Sequence, residues 1–318
     1  MSFRKLWIYL AVLLFVAGIW GAAQFLFPPK TEKDKNPLLF GHLSTDKIQE
    51  IRWQRGSEAV HLKKNREWEI LQPLSARADS WAVGNLLQTL TSLKPERRLS
   101  EIKPGGEEFG LNPPRVTISF SAQGKWFELL VGNKTAVGHD FYAKVSTVPD
   151  LLLVQEFIIQ DLDRDLFSLR DKKVFSVTVD QLQSLEFKAG RKSFYLEKIP
   201  EGWKQKGRSE GKINKKEVDS FLNEVLQLKV KGFAGPGINN PQWGLKSPIV
   251  QLRLNLRGQG DKGEILSLGK EDPKNGLSAM STIHKEVFFL DPAILKKFPR
   301  DLETWKNQSP SSSDKKGP

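Results

Sequence analysis

Six basic residues crowd one short stretch of this chain: Lys204, Lys206, Arg208, Lys212, Lys215 and Lys216, opposed within it by the single acid Glu210. Cations packed this closely repel one another. A solvated loop tolerates that, and an anionic surface beside it turns it to use. The stretch is therefore the candidate contact for an anionic partner: lipid headgroups, an acidic polysaccharide or an acidic protein face. The alternative is a solubilising surface loop.

Other residues could do chemistry, but their spacing argues against it. The histidines are His42, His61, His139 and His284, and no two stand at i, i+4. His139 adjoins Asp140, yet neighbours on a strand point to opposite faces. His61 is expected to be solvated, opposite Val60 and Leu62. Asp161, Asp163 and Asp165 alternate like the start of a calcium loop, but no glycine or distal glutamate follows at the required spacing. They read as a solvated helix end. Gly232 to Gly237 is glycine-rich without a following Lys-Ser/Thr, so a plain loop is expected there rather than a phosphate cradle. No nucleophile elbow or dinucleotide fingerprint occurs. The expectation is a non-enzymatic chain with no cofactor and no metal. Trp126, on an alternating strand with Phe127 and Leu129, is expected to pack.

These residues sit on a duplicated frame. Asp46-Lys-Ile-Gln-Glu-Ile-Arg-Trp53 reads against Asp180-Gln-Leu-Gln-Ser-Leu-Glu-Phe187, about 134 residues on. Gly56 falls on Gly190, Trp68 on Trp203, Gly110-Leu111 on Gly244-Leu245, and Gly132 on Gly269. A position kept in both copies serves the shared fold; a feature of one copy is the better functional candidate. Residues 38–171 carry 17 Lys and Arg against 18 Asp and Glu, whereas residues 172–308 carry 25 against 16. The net charge of +12 is thus concentrated in the second copy. Of the six basic positions from Lys204 to Lys216, the first copy matches the stretch with Arg77 alone.

Each copy opens with alternating runs around Gly56 or Gly190, which read as strand pairs. A third short strand carries Trp68 or Trp203. Asp79 and Asn214 are good N-caps. Behind them Val83, Leu86, Leu87, Leu90 and Leu93 match Val218, Phe221, Leu222, Val225 and Leu228 at helical spacing. Four further strand-like runs follow, then short helical segments near 155–162 and 293–298. The fold class expected is α+β, each copy an antiparallel sheet with helices packed on one face.

The ends differ. Leu6 to Phe27 is a 22-residue run without a charge, preceded by Arg4 and Lys5. As a helix it would reach about 33 Å, enough for a bilayer core. An uncleaved signal-anchor with the bulk of the chain outside the cytoplasm is expected. A signal peptide cleaved after Gly21-Ala22-Ala23 is the alternative. The expected order is an anchor over 1–27, a linker over 28–37, repeats over 38–171 and 172–308, and a disordered tail over 309–318. No cysteine is present, so disulfides and thiolate metal sites are excluded. Nucleic acid is disfavoured as a partner outside the cytoplasm.

The order Trp68, Pro73, Ala78-Asp79 before a helix, Gly110-Leu111, Pro114, Gly132, Tyr142 resembles the bacterial domain of unknown function (DUF) 4340 family. The second copy departs from that pattern at Gly207 and Ala279. The resemblance implies an anchored protein of the bacterial cytoplasmic membrane that assembles with a membrane complex, of the ABC-transporter type. It implies no catalytic residues. The leading expectation is an assembly or accessory platform. The alternative is a binding module for an anionic lipid or polysaccharide through the second repeat. An envelope hydrolase with an unrecognised site is a third, weaker fit.

Overall fold

The computed structural model describes residues 15–17, 37–102, 107–207, 213–235, 240–258 and 262–306. By contact density the chain divides into two compact units, residues 1–57 with 84–163, and residues 58–83 with 164–318.

Strand pairing gives two large sheets. The first is built from β1 (Ile48–Arg55), β2 (Glu58–Lys64), β3 (Trp68–Gln72), β4 (Ala76–Arg77), β5 (Arg97–Leu99), β6 (Val116–Ala122), β7 (Lys125–Lys134), β8 (Asp140–Val145) and β9 (Val148–Gln155). Its order is β4-β3-β2-β1-β6-β7-β8-β9-β5. The second contains β10 (Leu182–Ala189), β11 (Lys192–Ile199), β12 (Gly202–Gln205), β13 (Gly232–Gly235), β14 (Val250–Leu256), β15 (Gly263–Asp272), β16 (Gly276–Ser281) and β17 (Val287–Leu290). Its order is β12-β11-β10-β14-β15-β16-β17-β13. Neighbours pair antiparallel, as in β6 with β7 and β14 with β15.

The expected α+β class with an N-terminal transmembrane helix is therefore corrected to a mostly antiparallel β protein. Helix is a minor part: α1 (Ser80–Thr91) and α4 (Lys215–Leu226) have 12 residues each, while α2 (Glu156–Leu162) and α3 (Leu166–Leu169) are short. The short helical segment expected near 293–298 is present as a 3-10 helix, Pro292–Lys297. The physical reason is that two twelve-residue stripes give a loud periodic signal, whereas edge strands of two to four residues give none. Three such strands, β4, β5 and β13, were unmarked by pattern. β13 falls in the glycine-rich run expected to be a loop, and pairs with β17 through Gly232–Phe289 and Phe233–Phe288. Among the described residues no helix is long and apolar enough to cross a membrane. The expected span 6–27 lies outside the described residues apart from 15–17, as does the tail over 309–318.

Alternation along the strands builds the cores. In β6 the alternate residues Val116, Ile118, Phe120 and Ala122 are buried and those between are half-buried. Trp53, Phe120, Leu86 and Leu90 are fully buried. In the second core Phe187, Leu252, Leu268 and Phe288 are likewise enclosed, with Trp203 and Trp305 packed beside the α4 stripe of Val218, Phe221, Leu222 and Val225. Trp68 and Trp203 are both buried.

Backbone hydrogen bonds recur at the offset seen in the sequence. Asp79 N–H donates to Leu169 O (2.8 Å), and Asn214 N–H to Trp305 O (2.7 Å). Lys47 N–H donates to Ser44 O and Gln181 N–H to Thr178 O, each at 3.1 Å. Strand β1 slips register between Ile48 and Glu50, and β10 slips between Leu182 and Ser184. The matched glycines have a shared cause. A Cβ on Gly132 would stand 2.1 Å from Phe109 O, and one on Gly269 would stand 2.0 Å from Trp243 O. No side chain fits where another segment's carbonyl crosses the strand this closely.

Candidate functional site

The basic stretch is positioned by β12, an edge strand of the second sheet, and by the start of α4. These meet at Gly202, where an added Cβ would lie 3.2 Å from Lys215 Cβ. Gly202 also has a φ of 143°, a conformation that favours glycine. Lys204, Lys206, Lys215 and Lys216 are all exposed at this corner. Arg208 and Lys212 lie outside the described residues.

The corner is not pure positive charge. Lys206 Nζ is 3.8 Å from Glu197 and 4.9 Å from the Tyr195 ring centroid. Lys204 faces Glu197 across β11 and β12. Lys204, Lys215 and Lys216 have no ion pair among the described residues. Asn214 caps α4 by accepting from Lys216 N–H (3.1 Å) and Glu217 N–H (3.4 Å). Behind the cap, Trp203 Nε1 donates to Asp219 (2.9 Å), tying β12 to the helix. Lys215 and Lys216 therefore occupy the positive end of the helix dipole, where anionic side chains are normally favoured.

A second cluster was not found by sequence reasoning. Arg170 is 4% exposed, pairs with Glu286 and lies over the Phe233 ring, 3.3 Å from its centroid. Its Nε has no hydrogen-bond partner. His284, buried, sets Nε2 2.8 Å from Lys173 O and packs edge-on against Phe233 and Phe288. Burial pushes the His284 imidazole below its ordinary value; the Lys173 carbonyl and Asp171 oppose that shift. Arg170, His284 and Glu286 line a cavity of about 220 Å³ with Glu69 and Arg77. Arg170 and Glu286 are 116 residues apart in sequence, so no local spacing marks them.

The remaining candidates stay apart. His139 is exposed, with Nδ1 3.3 Å from Glu156. His61 is half-buried rather than solvated. Asp163 corrects the expected solvated helix end: it is 10% exposed and accepts from Arg55 (3.1 Å) and Arg115 (2.6 Å). Asp165 caps α3 through Ser168 N–H (2.7 Å). Trp126 also departs from expectation. Phe127 turns to Phe40 and Phe120, so its neighbour turns outward, 46% exposed under the Arg52 guanidinium at 4.5 Å. Among the described residues no three His, Asp or Glu side chains converge as metal ligands.

A sequence model for a domain of unknown function, DUF4340, matches residues 68–248, more than half of the chain. The chain belongs to the DUF4340 family. The match runs from β3 through the basic corner to the loop before β14, so the DUF4340 region takes in most of the first sheet and the start of the second. No curated protein and no solved structure matches this DUF4340 chain.

Proposed function

We propose that this protein is a non-enzymatic docking module. The basic corner of its second sheet would hold an acidic face of a protein partner in a larger complex, of the transporter kind that the family resemblance implies. The observation that carries the reading is four exposed lysines in one corner of the fold, Lys204 on β12, Lys206 just past its end, and Lys215 and Lys216 in the first turn of α4. Two of them sit against the helix dipole, a placement that an anionic partner relieves. The charge excess of the second copy supports the same reading.

The test is charge reversal. Lys204→Glu, Lys206→Glu, Lys215→Glu and Lys216→Glu combined should leave the fold intact by circular dichroism and abolish crosslinks from this corner to the partner in native membranes. In the wild type, co-purification should weaken as salt rises, because the Debye length shrinks below about 8 Å. Unchanged crosslinking and co-purification in the reversed variant would sink the proposal. Loss of binding to anionic vesicles, with protein crosslinks retained, would transfer the corner to lipid.

A further inference from the structure

Residues 172–174 and 228–230 run antiparallel: Val174 N–H donates to Leu228 O (3.3 Å) and Val230 N–H to Lys172 O (2.8 Å). These bonds straddle the bridge between Lys173 and Lys229. The two lysines are therefore a non-hydrogen-bonded pair, the closest side-chain spacing that antiparallel strands offer, with Cα atoms about 4.5 Å apart. Both are exposed, and neither has an ion pair among the described residues. Like charges directly opposite destabilise a strand pair. Elsewhere the chain places opposite charges at facing positions: Glu186 with Arg253, Glu197 with Lys204, Glu69 with Arg77. At the matched site of the first copy, where Leu39 N–H donates to Leu93 O, the corresponding residues are Leu38 and Lys94. The doubled lysine is peculiar to one copy and is not required by the fold.

Both lysines line a cavity of about 410 Å³ whose rim carries Trp81, 72% exposed and without a ring contact among the described residues. All the lining residues belong to the second compact unit. The acids beside them are engaged. Asp79 accepts from Trp81 N–H and Ala82 N–H (3.0 Å each), and Asp171 accepts from Lys173 N–H (3.0 Å) with Arg77 Nε at 3.6 Å. Glu67 holds Arg77 Nη2 at 3.3 Å. The free elements are one flat aromatic face and two ammonium groups, with carboxylates among the lining that can accept from hydroxyls.

We propose that this cavity binds an acidic sugar. Its pyranose ring stacks on Trp81, its carboxylate bridges Lys173 and Lys229, and its hydroxyls donate to the Glu67 side. One carboxylate per ring, spaced along an oligosaccharide, lets a single charge meet the lysine pair, whereas a polyphosphate concentrates its charge against Glu67, Asp79 and Asp171. The site is separate from the basic corner, and its failure leaves the docking reading standing.

The experiment is calorimetric titration of the full chain, at low salt, with trigalacturonate, maltotriose, inorganic phosphate and AMP. Trigalacturonate should bind, and maltotriose should bind at least about tenfold more weakly, a difference of about 1.4 kcal/mol. Trp81→Ser and the pair Lys173→Ser with Lys229→Ser should each cost at least tenfold, with circular dichroism unchanged because all three side chains are exposed. Lys229→Glu adds a readout that needs no ligand: it should raise the melting temperature of the free chain by relieving the repulsion, while abolishing trigalacturonate binding. Equal affinity for maltotriose, tighter binding of AMP, phosphate binding indifferent to Trp81→Ser, or no binding of trigalacturonate would each overturn the proposal. So would a melting temperature lowered by Lys229→Glu.

Discussion

The first and second sheets share backbone hydrogen bonds, bulges and close-approach glycines, and differ in what their surfaces carry. Where α1 begins Ser80-Trp81 behind the cap Asp79, α4 begins Lys215-Lys216 behind the cap Asn214. Where Arg170 enters a buried cluster, its counterpart Lys306 reaches the exposed Glu303 at 2.5 Å. The helical ends whose carbonyls accept from the cap residues, at Leu169 and Trp305, are therefore common property, and the side chains mounted beside them are not. The two copies thus repeat the backbone arrangement and differ in the side chains mounted on it.

The largest expected effect tests the shared part. Trp203→Ala removes a buried indole and its bond to Asp219, and should destabilise by about 3–5 kcal/mol. Trp68→Ala should fall in the same range, since Trp68 is also buried. Denaturant titration of both variants decides it. A cost under about 1 kcal/mol for either would mean that the matched tryptophans are not equivalent core anchors.

The divergent part comes next. Arg170→Met strands Glu286 in a largely buried place and should cost about 3 kcal/mol, at the low end for a broken buried pair because Glu286 is 15% exposed. Lys306→Met removes a pair whose acid is exposed, and should cost at most about 0.5 kcal/mol. Equal costs would show that the two positions do the same structural work after all. Gly132→Ala and Gly269→Ala then return to the shared frame. Each methyl would collide with a carbonyl, so about 1–3 kcal/mol is expected from each, and nearly the same from both.

What was legible in the sequence follows from range. The hairpins at Gly56 and Gly190, the caps Asp79 and Asn214 and the two helix stripes are local patterns, and local patterns survive reading. The kept glycines could be paired by eye, but their cause, a carbonyl at 2.0–2.1 Å from a would-be Cβ, needed the fold. Arg170, Glu286 and His284 come together only through strand pairing, and Lys173 meets Lys229 only through register. Short edge strands such as β4 carry too few residues for a period. The class was misread for that reason, because the helices announced themselves and the edges did not. The basic stretch was legible as composition, and its four described members are exposed, yet Glu197 beside Lys206 and Lys204 was invisible before β11 was paired with β12.

The smallest effect concerns a buried group peculiar to the second copy. His284 is flanked by Arg170, Asp171 and Glu286, and desolvation holds its folded-state value below the ordinary 6.5. The unfolded chain then takes up a proton at higher pH than the folded chain does. Stability from the neutral imidazole is fully present above 6.5 and is lost as pH falls from there through the lower folded value. The exposed carboxylates Asp291 and Asp301, held below their ordinary value by Lys231 and Lys192, act in a separate window below about 4. Unfolding free energy measured between pH 7.5 and about 5 should therefore decline in the wild type and stay flatter in His284→Gln. Ser146 and Thr147 form the corresponding turn of the first copy and cannot titrate in this range, so Thr147→Gln should leave the wild-type slope in place. An unchanged slope in His284→Gln would show that the imidazole protonates in the folded chain as easily as in the unfolded one. The enclosure by Phe233, Phe288 and the Lys173 carbonyl would then be looser than the packing implies.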